Sequence, residues 1–465
     1  MILSKEKGWW REPWRLSLLF AVLIPFFSDF STPVWAVASL VAALCDARRR
    51  GASLSAGPAG QLLILYLAFI LLGLIYARDR FTSLGVVLMW LILYLPYLAV
   101  TTVLCNRERL KTALTMLAAV TGLIGLIGAV QYLLAGPLGL PVPIQLWQAV
   151  DEAVYALFPV DFILNINGIR PAATFNNPNV CAEYLFMVFP FLLCAVFSKL
   201  YGPFLRGSSV QPPSLHRSRM RRAFFFVCAA AAAAGLAVTF SRGSYLALLA
   251  VIGVFCVFYP RKWPLYLLAA AAVLLMLPDA VIGRFLSIGA IDNSIAERLS
   301  VWKVGFDSIA QHPLIGIGPG PYNTWYLLRD AGINAPHMHN LFLQLLTEGG
   351  IIGFTLMGTV IAWVFRGGVR LIRSARPGQP RYRPELRSEQ RMLGVALIAF
   401  VAGLLVDGLV DFPLLTPRLV GTFTLVLALA DASGHLYRGE QVHALRRLLP
   451  GGKPRTAARK GGERL

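Results

Sequence analysis

Residues 334–353 read NAPHMHNLFLQLLTEGGIIG. The stretch joins a polar loop to an apolar run, and two histidines, His337 and His339, stand at the junction. Behind them Asn340, Gln344 and Glu348 recur at i, i+4 and i+8, so a helix gathers them into one polar stripe. A polar stripe entering a bilayer is costly unless it faces the protein interior or a wet cavity, and it marks a functional site by default. The remainder of the chain reads as scaffold and partners for this junction.

Composition supports a membrane setting. The 465-residue chain is 57% hydrophobic and only 14% charged, with a mean hydropathy of +0.64. That is too apolar for a soluble domain. The net charge of +20 does not indicate nucleic acid, because the basic residues are distributed as topology determinants. The six cysteines, Cys45, Cys105, Cys181, Cys194, Cys228 and Cys256, mostly fall in or beside apolar runs with no CxxC. Neither a disulfide framework nor a zinc cluster is expected. The first apolar run follows Lys5, Lys7, Arg11 and Arg15 without a small-residue cleavage pattern. It reads as a signal anchor flanked by interfacial Trp9, Trp10 and Trp14.

Twelve apolar segments follow in order: 16–28, 33–45, 58–76, 83–104, 113–135, 179–198, 223–240, 244–259, 264–278, 340–365, 392–410 and 414–431. The expected fold is an all-α integral membrane protein of about twelve transmembrane helices with a helical periplasmic loop. With the N-terminus inside and strict alternation, 34 of the 43 lysines and arginines fall on the inner side, which supports twelve spans with both termini cytoplasmic. The organisation is then a bundle of spans one to nine over 1–278, interrupted by an outer segment at 136–178. A large outer loop follows at 279–339, then spans ten to twelve at 340–431, then a basic cytoplasmic tail at 432–465, whose end GGKPRTAARKGGERL at 451–465 has a disorder-like composition. The inner basic loops read as inside-markers and contacts for anionic lipids.

Within the large loop, Ser294 and Glu297 make a capping box ahead of an amphipathic run. Leu299, Trp302, Phe306 and Ile309 are expected on one face, either resting on the membrane surface or capping the bundle. GIGPGPYN at 316–323 is a Gly/Pro turn and not a dinucleotide loop, since no strand–helix unit surrounds it.

The outer basic residues run against the topology rule and are therefore informative. Arg242, in TFSRGSYLA, sits at a very tight connection between two apolar runs. Arg170 opens the polar run that leads into the sixth span, Arg298 rides on the amphipathic helix, and Arg80 lies in a short outer turn. A guanidinium held at that depth stays charged and grips phosphate oxygens in pairs. The alternative for each is a snorkelling side chain or half of an ion pair. Arg78, Arg284, Arg329 and Arg418 read as structural. His339 is the candidate general base, against the alternative of a histidine hydrogen-bonded at a helix start. His337 is its neighbour, but a His-x-His metal site finds no third ligand except His312. Asn340 is expected as a helix cap or an orienting partner of His339. Gln344 and Glu348 serve either function or interhelical hydrogen bonding. No Asp-x-Asp pair, Walker motif or internal repeat is present, which argues against a metal-bound sugar donor and weakens a transporter reading.

Four pieces, RPAATFNNPNVCAEYL at 170–185, SRGSYLA at 241–247, AERLSVWKVGFDSIAQHPLIGIGPGPY at 296–322 and HNLFLQLLTEGGIIG at 339–353, resemble the O-antigen ligase/polymerase superfamily of bacterial inner-membrane glycosyltransferases. They occur in family order. The resemblance implies a GT-C-like bundle with a periplasmic, cofactor-free active site. The donor would be a glycan on undecaprenyl pyrophosphate and the acceptor lipid A-core, as in the lipopolysaccharide O-antigen ligase. Taken with that donor, the reading of the residues makes His339 the base, gives the pyrophosphate to Arg170 and Arg242 helped by Arg298 or Arg80, gives orientation to Asn340, His337 and Gln344, and expects no metal. A polymerase, a protein O-oligosaccharyltransferase and a lipid-linked glycan flippase remain alternatives.

Overall fold

The computed structural model describes residues 11–27, 29, 31–135, 170–197, 215–262, 293–380, 382–438 and 443–444. Its helices are α1 (Pro13–Leu23), α2 (Thr32–Arg50), α3 (Pro58–Gly73), α4 (Arg80–Val103), α5 (Arg107–Ala135), α6 (Pro178–Phe197), α7 (Leu215–Val238), α8 (Arg242–Phe258), α9 (Asn293–Gln311), α10 (Pro321–Asp330), α11 (Leu341–Ser374), α12 (Arg387–Asp407) and α13 (Pro417–Arg438). Eleven of the expected apolar segments coincide with a helix. The run at 264–278 lies outside the described residues, as do most of the 136–178 segment, Arg284 and most of the basic tail.

Among the described residues seven helices, α4 to α7 and α11 to α13, are long and apolar enough to cross a membrane. Helices α1, α3 and α8 are apolar but shorter. Length and composition thus make this an integral membrane protein. Two details depart from the expectation. Ser55–Ala56 (β1) pairs antiparallel with His443–Ala444 (β2), in the basic tail but ahead of its disorder-like end. Helix α13 also continues past 431 to Arg438.

Local chemistry sets the helix starts. Asp79 caps α4 by accepting from Thr82 N at 3.0 Å, and Pro13 and Pro58 open α1 and α3 where a missing N–H costs nothing. Close crossings use small residues. Gly125 of α5 meets Gly235 of α7 so tightly that an added Cβ would lie 2.3 Å from the Ala231 carbonyl oxygen. Such approaches suit a membrane, where packing replaces the hydrophobic drive between helices. Among the described spanning helices α13 is the most enclosed by its neighbours, and α11 is the least.

Helix α11 is not continuous. Gly350 has φ 56° and ψ −162° in its interior, a geometry that favours glycine. The loop 313–318 docks into the break. Ile317 N and Gly318 N donate to the carbonyls of Thr347 and Glu348, and Ile351 N and Ile352 N donate to those of Pro313 and Leu314. The Gly-rich turn therefore satisfies the backbone groups that the kink frees, as a membrane helix requires.

The amphipathic helix α9 differs from its expected face. Its buried stripe is Val301, Gly305 and Ser308, with Trp302 and Ile309 beside it, whereas Leu299 and Phe306 are exposed. Fit decides this: Gly305 leaves room for Met338, and Trp302 Nε1 donates to the Met338 carbonyl at 3.0 Å. The helix also starts at Asn293, one residue ahead of the expected cap at Ser294.

Candidate functional site

The site is built at the end of the bundle where α11 begins. Asn340 caps that helix, its Oδ1 accepting from Phe342 N and Leu343 N at 2.9 Å each. Its Nδ2 donates to the Leu409 carbonyl at 2.9 Å, and Leu341 N donates to the Gly408 carbonyl at 2.7 Å. The connection between α12 and α13 is thus stitched to the first turn of α11. Gln344 ties the stripe to its loop: it accepts from Met338 N at 2.7 Å and donates to Thr324 Oγ1 at 3.0 Å and to Glu348 Oε1 at 2.6 Å.

His339 precedes the cap with φ 47°, a left-handed conformation that a bulky residue adopts only under constraint. The constraint is visible. Its N–H donates to His337 Nδ1 at 3.1 Å, and the two rings stand 4.0 Å apart. His339 Nδ1 lies 3.6 Å from Asp411 Oδ1, an ion-pair separation rather than a hydrogen bond. Nδ1 itself is buried without a hydrogen-bond partner. His337 is buried, and desolvation, reinforced by the charges of His339 and Arg298 against that of Asp411, pulls its pKa down to about 4. Burial alone would raise Asp411. The two histidines and the Phe412 N–H outweigh it and hold the carboxyl below its ordinary value.

The arginines stand on segments around this end of the bundle. Arg242 is the first residue of α8, and Ser244 Oγ, two residues on, lies 3.2 Å from Asp407 Oδ1. Gly243 has no space for a side chain, since a Cβ would sit 2.7 Å from Val410 Cγ2. Arg170 flanks the other side of the 239–241 turn, donating from Nε to the Thr239 carbonyl at 2.9 Å and from a terminal nitrogen to Asn179 Oδ1 at 2.7 Å. Arg298 is on α9, which meets the histidine loop where Trp302 Nε1 donates to the Met338 carbonyl at 3.0 Å. Arg80 differs. It donates to the Ile75 carbonyl at 3.0 Å, and no contact among the described residues joins it to the histidines. Its neighbours Phe81 and Thr82 line a mostly apolar cleft of about 490 Å³ that runs past Trp90, Tyr322 and Phe412 to Glu348. Phe412 in turn lies 6.4 Å from the His337 ring.

The expected metal reading needs one correction. The third possible ligand beside His337 and His339 is Asp411, with ligand atoms within 4.8 Å of one another, and not the exposed His312. The set nevertheless suits a cation poorly. His337 Nδ1 already accepts an N–H, so the neutral ring carries its proton on Nε2. A metal-bound histidine is usually held the other way, donating from its free nitrogen.

Sequence reading missed Asp407 and Asp411. Their signal was present: two acids at i, i+4 in DGLVDF, at the end of an apolar run. Nothing in the chain order tied them to residue 339.

The resemblance seen in the sequence is borne out by comparison with known proteins. Residues 226–358 match the family described as O-antigen ligase. A stretch of 161 residues is 27% identical to the exopolysaccharide production protein ExoQ of Rhizobium meliloti (strain 1021), covering 32% of this chain and 32% of that protein. The match therefore spans about a third of that relative's length. The family match takes in Arg242, Arg298 and both histidines, and leaves Arg170 and Asp411 outside.

Proposed function

We propose, from the O-antigen ligase domain carried over residues 226–358, that this integral membrane protein transfers a glycan from undecaprenyl pyrophosphate to the lipid A-core oligosaccharide at the outer face of the bacterial inner membrane. An acceptor hydroxyl attacks the anomeric carbon, the C–O bond to the diphosphate breaks, and undecaprenyl pyrophosphate leaves. Direct displacement inverts the anomeric centre. His339 takes the hydroxyl proton, a contribution of about 10²–10⁴-fold. Asp411, 3.6 Å from its ring, orients the imidazole and balances the charge it gains. Arg170, Arg242 and Arg298 hold the diphosphate and stabilise its growing negative charge. Arg80, beside the cleft mouth, is an outlying fourth contact. The apolar cleft takes the part of the polyprenyl chain next to the diphosphate.

The single observation behind this reading is convergence. The His339 segment and the segment bearing Arg242 both touch the 407–411 connection, Arg170 binds the 239–241 turn just ahead of Arg242, and α9, which bears Arg298, packs on Met338 beside the histidines. The decisive experiment incubates purified protein with labelled lipid-linked glycan and lipid A-core, and follows label into the core oligosaccharide. The ExoQ likeness favours a second reading, polymer extension from the same donor, and glycan growth without transfer to core would establish it instead. No metal takes part in either reading. EDTA is expected to leave the initial rate unchanged, and loss of activity restored by a divalent ion would overturn the metal-free mechanism.

A further inference from the structure

We infer that Gln131 and Arg418 are positioning residues for Arg170, acting through the turn that carries it. The inference rests on the proposed role of Arg170 at the diphosphate. The turn 170–177 leads into α6 and contains Ala173 at φ 51°, a left-handed conformation unfavourable for any residue with a Cβ. Ala173 is fully buried, so solvent does nothing to support it. One side chain grips both of its backbone groups. Ala173 N donates to Gln131 Oε1 at 2.9 Å, and Gln131 Nε2 donates to the Ala173 carbonyl at 3.0 Å. The primary amide is the side chain that offers a donor and an acceptor side by side, as a backbone strand would.

The next residue is held from the opposite direction. The Thr174 carbonyl accepts from a terminal nitrogen of Arg418 at 2.7 Å, and the Arg418 guanidinium lies over the Phe175 ring at 4.5 Å. Arg418 is almost wholly buried, and its Nε donates to Asp29 Oδ1 at 3.1 Å. Two features make it locally unfavourable: a buried cation is costly, and a positive charge in the first turn of α13 opposes the helix dipole. A residue disfavoured on both counts belongs to the tertiary arrangement rather than to its helix. The arrangement it completes is a clamp from α5 and α13 that fixes 173–175, three residues from Arg170. Arg170 is then directed at the 239–241 turn beside Arg242. A diphosphate grip needs guanidinium groups at fixed separation, so loosening the clamp weakens binding of the anion before it disturbs the base.

The test measures farnesyl pyrophosphate binding to the full chain in detergent, alongside donor KM, acceptor KM and kcat. Gln131→Leu, Gln131→Glu and Arg418→Met are compared with Arg170→Ala and with Arg109→Met, a control at the other end of the bundle. Gln131→Leu and Arg418→Met are expected to weaken farnesyl pyrophosphate and raise the donor KM about tenfold, with the acceptor KM unchanged. Gln131→Glu keeps one of the two hydrogen bonds and is expected to lie between. Adding Ala173→Gly to Gln131→Leu should restore part of the affinity, because glycine takes the left-handed conformation without the clamp. A purely structural role would lower thermal stability and kcat together while leaving farnesyl pyrophosphate affinity and both KM values at the control's level. If Arg170→Ala weakens the probe while Gln131→Leu and Arg418→Met bind it as the control does, the clamp is wrong. If Arg170→Ala itself binds normally, the diphosphate reading of Arg170 fails, and the inference falls with it.

Discussion

The two ends of the bundle leave their buried acids in different states. At the end away from the histidines the buried acids are matched. Asp46 accepts from Arg50 at 2.8 Å and from Arg109 at 2.6 and 3.0 Å. Glu389 is engaged by Arg107 and Tyr437. Asp431 accepts from Tyr97 Oη at 2.7 Å and from Ala59 N at 3.0 Å. At the histidine end Asp407 Oδ2 and His339 Nδ1 are buried without a hydrogen-bond partner, and Asp411 stands just beyond bonding distance of His339. Strained backbone is distributed the same way. Among the described residues the non-glycine positions with positive φ are Ala173, Phe240 and His339, all at the histidine end. Both ends use polar groups to hold segments together, through Asp46, Glu389 and Asp431 at one and Asn340, Gln344 and Arg418 at the other. The histidine end in addition leaves a carboxylate oxygen and an imidazole nitrogen unbonded and carries strained backbone, as binding sites do.

The contrast breaks most directly at His339. His339→Ala is expected to lower the initial rate of glycan transfer about 10²–10⁴-fold with an unchanged unfolding temperature, and a stable variant with full activity would sink the base assignment. Its counterpart at the other end is Glu389→Ala, which leaves Arg107 facing a hole. A loss of about 3 kcal/mol is expected, read as a lower unfolding temperature, with the rate per folded molecule preserved. Inactivation without destabilisation would erase the distinction between the ends.

His337 sharpens it through pH. Its folded-state pKa of about 4 lies below the free value of 6.5, so the unfolded chain binds the extra proton between those values. Stability therefore falls as pH drops from about 6.5 to about 4, by up to roughly 3 kcal/mol. The unfolding temperature of His337→Asn should drop less over that range than that of the unsubstituted protein, and parallel curves would remove the claim. The smallest effect is expected at Arg78, whose pairing with Asp330 is exposed. Arg78→Ala should change stability by less than about 1 kcal/mol and leave transfer intact, despite lying at the histidine end.

Particular residues show how far sequence reading carried. The helices were legible because apolar runs long enough to cross a bilayer have few other uses, and eleven of the expected segments are helical. The polar stripe behind His339 was legible from its spacing. The face of α9 was not: Leu299 and Phe306 are more hydrophobic than Gly305 and Ser308, yet fit against Met338 turned the latter inward. Nor was Asp411 legible as a partner of His339, because α11 and α12 separate them along the chain. Arg418 was read as structural; its direct contacts are structural in kind, but they bear on the turn that presents Arg170.

What the sequence determined alone was the class of molecule and the kinds of group at its working end, since hydropathy, helical period and charge sign are properties of short segments. Which groups stand together was decided only when α5, α8, α11, α12 and α13 packed. Close approach of small residues and hydrogen bonds between distant segments act across hundreds of positions, and no local pattern encodes their pairing.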